Sequence, residues 1–144
     1  MRQILILIFL VVAVVVAEKF VIRTHEDAIE AHEACREEFN VPDEIFEQYL
    51  NYVFPEHRRT KCYMKCFVEK MGLFTVLNGF NEKNFIAQFT YKESKNLASV
   101  RHGLEKCLDN NEWESDNCTW VERVFSCWLK INRPVVRKIY GPKN

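Results

Sequence analysis

Six cysteines constrain this chain more tightly than any other feature. They stand at Cys35, Cys62, Cys66, Cys107, Cys118 and Cys127, separated by 26, 3, 40, 10 and 8 residues. Cys62 and Cys66 are four apart in a stretch of helical periodicity, so both project from one helix face toward other elements. Side chains lying side by side in this way cannot bond each other without distorting the helix. Each must pair elsewhere, which ties that helix to two partners. The spacing removes only some of the connectivities that six cysteines allow. Metal binding is the rival use, but the paired C-x-x-C and H-x-H spacings of zinc sites are absent, and no metal is expected.

The N-terminus says where such cysteines are oxidised. Arg2 is followed by an unbroken apolar run from Ile4 to Val16, then by the small-residue site Val15-Val16-Ala17 and the polar Glu18. Thirteen residues span about 20 Å as a helix, short of the roughly 30 Å hydrocarbon core of a bilayer. Residues 1–17 therefore read as a cleaved secretory signal rather than a membrane span, with one domain over residues 18–144. Disulfides are at home in that compartment. Charge is balanced, with 20 Lys+Arg against 20 Asp+Glu, which excludes the basic surplus that nucleic acid demands. Four Gly, four Pro and 48% hydrophobic residues exclude collagen-like and disordered chains.

Periodicity and end signals predict an all-α domain of about six helices. Thr24 and Asp27 form a start signal before a helix carrying Ala28, Ala31, Cys35 and Phe39 on one stripe. Pro42 suits a first helical position ahead of Asp43 and Glu44. A third helix is expected from about His57 to Met71, with Gly72 as its stop. The Gly72–Gly79 segment reads as a buried apolar loop, and Asn81 caps a helix bearing Phe85, Ile86 and Phe89. Further helices are expected from Ser94 to Leu108 and from Asn117 to Asn132, the last ended by Pro134. No strand pattern appears.

The series C-x26-C-x3-C-x40-C-x10-C-x8-C resembles the insect odorant-binding protein family, including its pheromone-binding members. The match covers the whole mature chain, and five spacings fitting together make it specific. The resemblance implies the interlocked pairs Cys35–Cys66, Cys62–Cys118 and Cys107–Cys127. Loops of this size each stabilise by roughly 3–4 kcal/mol on the chain-entropy account. It also implies an internal apolar cavity, and the ten Phe, three Trp and five Tyr of the mature chain could wall one.

The function implied is reversible carriage of a small hydrophobic molecule (an odorant, pheromone or fatty acid) through sensillar lymph or haemolymph. A ligand burying roughly 300 Å² gains about 7 kcal/mol gross from leaving water, before association costs. By resemblance, the pocket wall includes Met64, Val68, Leu104 and Trp128. Phe74, Phe80, Phe85 and Phe89 are additions, and Val124 and Phe125 join them if the last helix turns its apolar stripe inward. Ordinary core packing is the competing explanation for each. Arg123 interrupts an apolar run and could meet a ligand carboxylate or carbonyl at the cavity mouth, or be held in a structural ion pair with a neighbouring Glu.

The tail from Arg133 onward carries Val135, Val136, Ile139 and Tyr140 and reads as a lid over the pocket rather than an inserted helix. Asn117-Cys118-Thr119 is a glycosylation sequon, but it lies at a helix start beside a bridged cysteine, and Asn117 is expected to stay unmodified. Asn117 or Asp116 would serve there as an N-cap. No H-E-x-x-H, G-x-S-x-G or phosphate-binding loop occurs, and three bridges leave no free thiol. The chain therefore reads as a non-enzyme without a cofactor. A chemosensory receptor is a possible partner, and the protein would be a monomer or weak homodimer. A secreted protein acting on a receptor through its surface is the alternative.

Overall fold

Short-range signals set where the helices begin. In the computed structural model, which describes residues 19–141, Thr24 closes a capping box with Asp27. The Asp27 amide donates to Thr24 Oγ1 at 3.2 Å, and the Thr24 amide donates to Asp27 Oδ2 at 2.7 Å. That start opens α1 (His25–Phe39). After it come α2 (Asp43–Leu50) and α3 (Arg58–Lys70). Pro42 stands one place earlier than the sequence suggests, as the extended N-cap of α2. Gly72 ends α3 in the left-handed region at φ 72°, where its own amide and that of Leu73 reach back to Glu69 and Val68 at 2.9 and 3.0 Å. This is the Schellman arrangement, and only glycine adopts it freely.

The next segment departs from expectation. Rather than a buried loop, it is a short hairpin in which β1 (Phe74–Thr75) pairs antiparallel with β2 (Gly79–Phe80). Its tip is in solvent, with Val76 53% and Leu77 93% exposed. Two-residue strands leave no alternating pattern to read. Asn81 then caps α4 (Glu82–Thr90), accepting from the Asn84 amide at 3.0 Å. A 3-10 turn at Ser94–Asn96 leads into α5 (Leu97–Cys107), and Asp116 caps α6 (Asn117–Tyr140).

The α6 helix does not stop at Pro134. Proline lacks the N–H that would bond the Lys130 carbonyl, yet both residues lie on the exposed face, where a freed carbonyl meets solvent. Burial of Val135, Val136, Ile139 and Tyr140 on the opposite face holds the helix through the break. The tail is thus a continuation of α6 packed on the core. Tyr140 bonds the Gln88 amide and donates to the Arg23 carbonyl at 3.3 Å.

Packing centres on α3 and α6, with α1 against α3, and α5 against α4 and α6. Disulfides follow the same plan. Cys35–Cys66 joins α1 to α3, Cys62–Cys118 joins α3 to the first turn of α6, and Cys107–Cys127 joins the end of α5 to α6. At Gly103 the α5 backbone touches α6, and an added Cβ would lie 2.8 Å from Trp128 Cδ1 and closer still to the Asn132 amide. Among the described residues no helix is long and apolar enough to cross a membrane. The expected signal segment, residues 1–17, lies outside the described residues.

Candidate functional site

Two groups of rings fill the interior. One surrounds His32, which stacks on Phe67 at 4.1 Å between centroids, meets Tyr52 edge-on, and shares a 2.6 Å hydrogen bond from Nδ1 to the Tyr63 hydroxyl. Burial pushes the His32 imidazole down to about 3, because no counter-charge repays the loss of water. Burial likewise raises the Tyr63 hydroxyl, and Tyr49, Tyr52 and Glu33 add to the effect. His32 Nε2 is buried without a hydrogen-bond partner.

The second group holds most of the residues singled out from the sequence. Met64, Val68, Phe85 and Trp128 expose no surface, and Phe74, Val124 and Phe125 expose 1% each. Leu104 and Phe89 are also buried. Atoms lining a void wide enough for a guest would keep accessible area, so the first four border no such void and touch other side chains instead. Trp128 meets the rings of Phe89 at 4.5 Å and Phe85 at 5.1 Å, and donates from Nε1 to the Val100 carbonyl at 3.4 Å. Asn132, buried beside it, accepts from Ser99 Oγ at 2.7 Å and donates to the Trp128 carbonyl.

From this centre a column of rings runs to the surface. Phe85 meets Phe80 at 6.1 Å, and Phe80 meets Trp120 at 5.7 Å in a T-shaped pair. Trp120 and Phe80, both half-buried, line a solvent-open groove of about 740 Å³. Leu104 and Leu108 complete its apolar floor from α5, and Val76 and Leu77 overhang it from the hairpin tip. Gly79 lets the hairpin lie flat on Trp120, since a Cβ there would sit 2.8 Å from the indole ring. Sequence reasoning passed over Trp120 and Leu108. Trp120 stands four and eight residues before Val124 and Trp128 on the same helix face, a signal that could have placed it beside them.

Arg123 is held in an ion pair within the protein. Its guanidinium forks onto Asp109 through Nε and Nη2 at 2.8 and 3.0 Å, with a further bond to Ser115 Oγ at 3.0 Å. It also lies 4.7 Å from the centre of the Trp113 ring. The partner is an Asp in the α5–α6 loop rather than a nearby Glu, and the hydrogen bond from Arg123 is the main influence holding the Asp109 carboxyl below its usual range. Asp116, not Asn117, is the N-cap of α6, accepting from the Cys118 and Thr119 amides at 3.1 Å. Asn117 is the first residue of that helix.

Three kinds of comparison bear on this arrangement. The PBP/GOBP family profile matches residues 17–131. General odorant-binding protein 99a of Drosophila melanogaster is 32% identical over 124 residues, covering 86% of this chain and 87% of its own. Odorant-binding protein 22 of Aedes aegypti is 31% identical over 135 residues, covering 94% and 95%. Among solved structures, a mosquito juvenile hormone-binding protein superposes with a TM-score of 0.71 at 17% identity over 85% of this chain, which spans 47% of that longer protein. The fatty acid binding protein OBP56a from the oral disk of the blowfly Phormia regina gives 0.59 at 19% identity, over 79% of this chain and 98% of its own. At those identities the structural likenesses establish the all-helical fold alone. With the profile match over most of its length, its curated relatives and its three disulfides, the chain belongs to the PBP/GOBP family of insect odorant-binding proteins.

Proposed function

We propose that this protein is a secreted carrier that takes a small hydrophobic molecule reversibly into its helical interior and moves it through sensillar lymph or haemolymph. Proteins of the family are secreted, non-enzymatic carriers of small hydrophobic ligands. Two structural neighbours are described as binding juvenile hormone and fatty acid. The observation that carries the reading for this chain is the ring column from the groove through Phe80 and Phe85 to Trp128. An apolar guest entering by the groove trades water for these rings, and each ring that turns aside exchanges one apolar contact for another. Met64, Val68, Phe74, Phe89, Leu104, Val124 and Phe125 form the rest of the wall. Three disulfides keep the helices in register while the rings move.

Because the rings must part, part of the gross gain of about 7 kcal/mol for a 300 Å² guest is spent on rearrangement, and micromolar binding is expected. The carrier acts as a monomer or weak homodimer and delivers its ligand to a chemosensory receptor or another acceptor. The test is displacement of a hydrophobic fluorescent probe from the purified, oxidised protein by volatile alcohols and fatty acids. Saturable micromolar displacement is expected. Absence of probe binding, or a probe that no apolar compound displaces, would overturn the reading.

A further inference from the structure

The groove at the end of the ring column has walls of one kind and a rim of another. Its lining includes Glu82, Glu105, Asp109 and Glu112 and, among the described residues, no Lys, Arg or His. Asp109 is neutralised by Arg123, which binds it with two nitrogens. The other three are exposed and have no ion-pair partner among the described residues. They come from three separate places: the first turn of α4, the last turn of α5 and the loop before α6. The bases next to them in sequence, Lys83 and Lys106, lie outside the lining.

An open trough of about 740 Å³, with apolar and polar residues both in its lining, lies within the size range of sites for small organic molecules. Three unpaired acidic residues in its lining repel an anionic head and attract a cationic one, and Phe80, Trp120 and Leu104 line the same groove. Each exposed carboxylate is worth little alone. Acting together beside two aromatic rings, which add their own attraction for an ammonium group, they are worth about a tenfold preference. A divalent metal fits poorly, since among the described residues no three His, Cys, Asp or Glu side chains stand close enough to hold one, and a carboxylate head would meet three like charges.

We infer that the groove selects small apolar cations, that is, compounds with one alkyl or arylalkyl body and one protonated amine. The body lies on the rings and the ammonium sits at the rim formed by Glu82, Glu105 and Glu112. This rests on the carrier reading, because the groove is taken as the mouth of the same ring column.

Octylamine, octanol and octanoate share a chain and differ in head charge, so their competition against a neutral fluorescent probe isolates the rim. At near-neutral pH and about 20 mM salt, octylamine is expected to bind about tenfold more tightly than octanol, and octanoate more weakly than either. Raising the salt to about 0.3 M shrinks that advantage. The combined variant E82Q, E105Q and E112Q, checked for native helix content, loses the advantage and keeps octanol affinity. Octanoate binding as tightly as octylamine, or an amine advantage that survives the triple variant, would overturn the proposal while leaving the carrier intact. If none of the three compounds bound, the carrier reading would fall as well.

Discussion

Arg123 carries its charge to a place already furnished for it. With Asp109, Asn111 and Ser115 around its guanidinium and Trp113 across its face, it pins the loop between α5 and α6. Arg123→Ala is expected to lower stability by about 1 kcal/mol, discounted for partial exposure, and to leave octanol binding unchanged. Thermal melting and probe displacement check the two halves. His32 gives a second residue-scale prediction. Its folded-state value near 3 lies below the ordinary 6.5, so between those limits the unfolded chain binds a proton that the folded chain does not. Stability then rises with pH, and it is lost on acidification by at most about 1.4 kcal/mol per unit. Denaturant titrations between about pH 6 and 5 are expected to show this slope in the parent and a flatter one in His32→Phe. The carboxyls of Asp27, Asp109 and Asp116 are also held low, and their contribution is lost only further down. His32 is buried although a surface position is the default expectation for a histidine, and its place on the stripe with Ala28, Ala31 and Cys35 is the signal that could have placed it inward. The partner of Arg123 was not, since Asp109 lies 14 residues away across a loop.

At the scale of elements, local signals proved enough wherever the chain itself supplies the bonding partner. The capping box at Thr24, the Asn81 cap and the Gly72 stop are all of that kind. They failed where tertiary burial outweighs a local rule, as in α6. There Asn132, Val135, Val136, Ile139 and Tyr140 keep the helical repeat across Pro134, and that repeat decides the outcome. Replacing a proline inside an exposed helix face restores a hydrogen bond and relieves a clash. Pro134→Ala is expected to stabilise the fold by roughly 1–3 kcal/mol, read as a rise in melting temperature. The opposite sign is expected at Gly103. There a methyl group collides with Trp128 and Asn132, and Gly103→Ala is expected to cost about 1–3 kcal/mol.

At the scale of the molecule, the cysteine series announced a crosslinked helical bundle, but the spacing left the connectivity open. Nor did it disclose that the interior rings close on one another while a groove opens between hairpin and α5, because side-chain packing across distant elements has no local signature. Losing Cys35–Cys66 by a double Cys→Ala change is expected to cost 2–5 kcal/mol in denaturant unfolding, roughly the usual worth of such a bridge. On the proposed function, an apolar guest enters the ring column between groove and core. The chain has three tryptophans, and two of them, Trp120 and Trp128, stand at its ends. The decisive measurement is a titration of the isotope-labelled protein with octanol, following the indole N–H resonances. Both Trp120 and Trp128 should shift and saturate at the concentration that displaces the probe, and displacement with both signals unmoved would contradict the account.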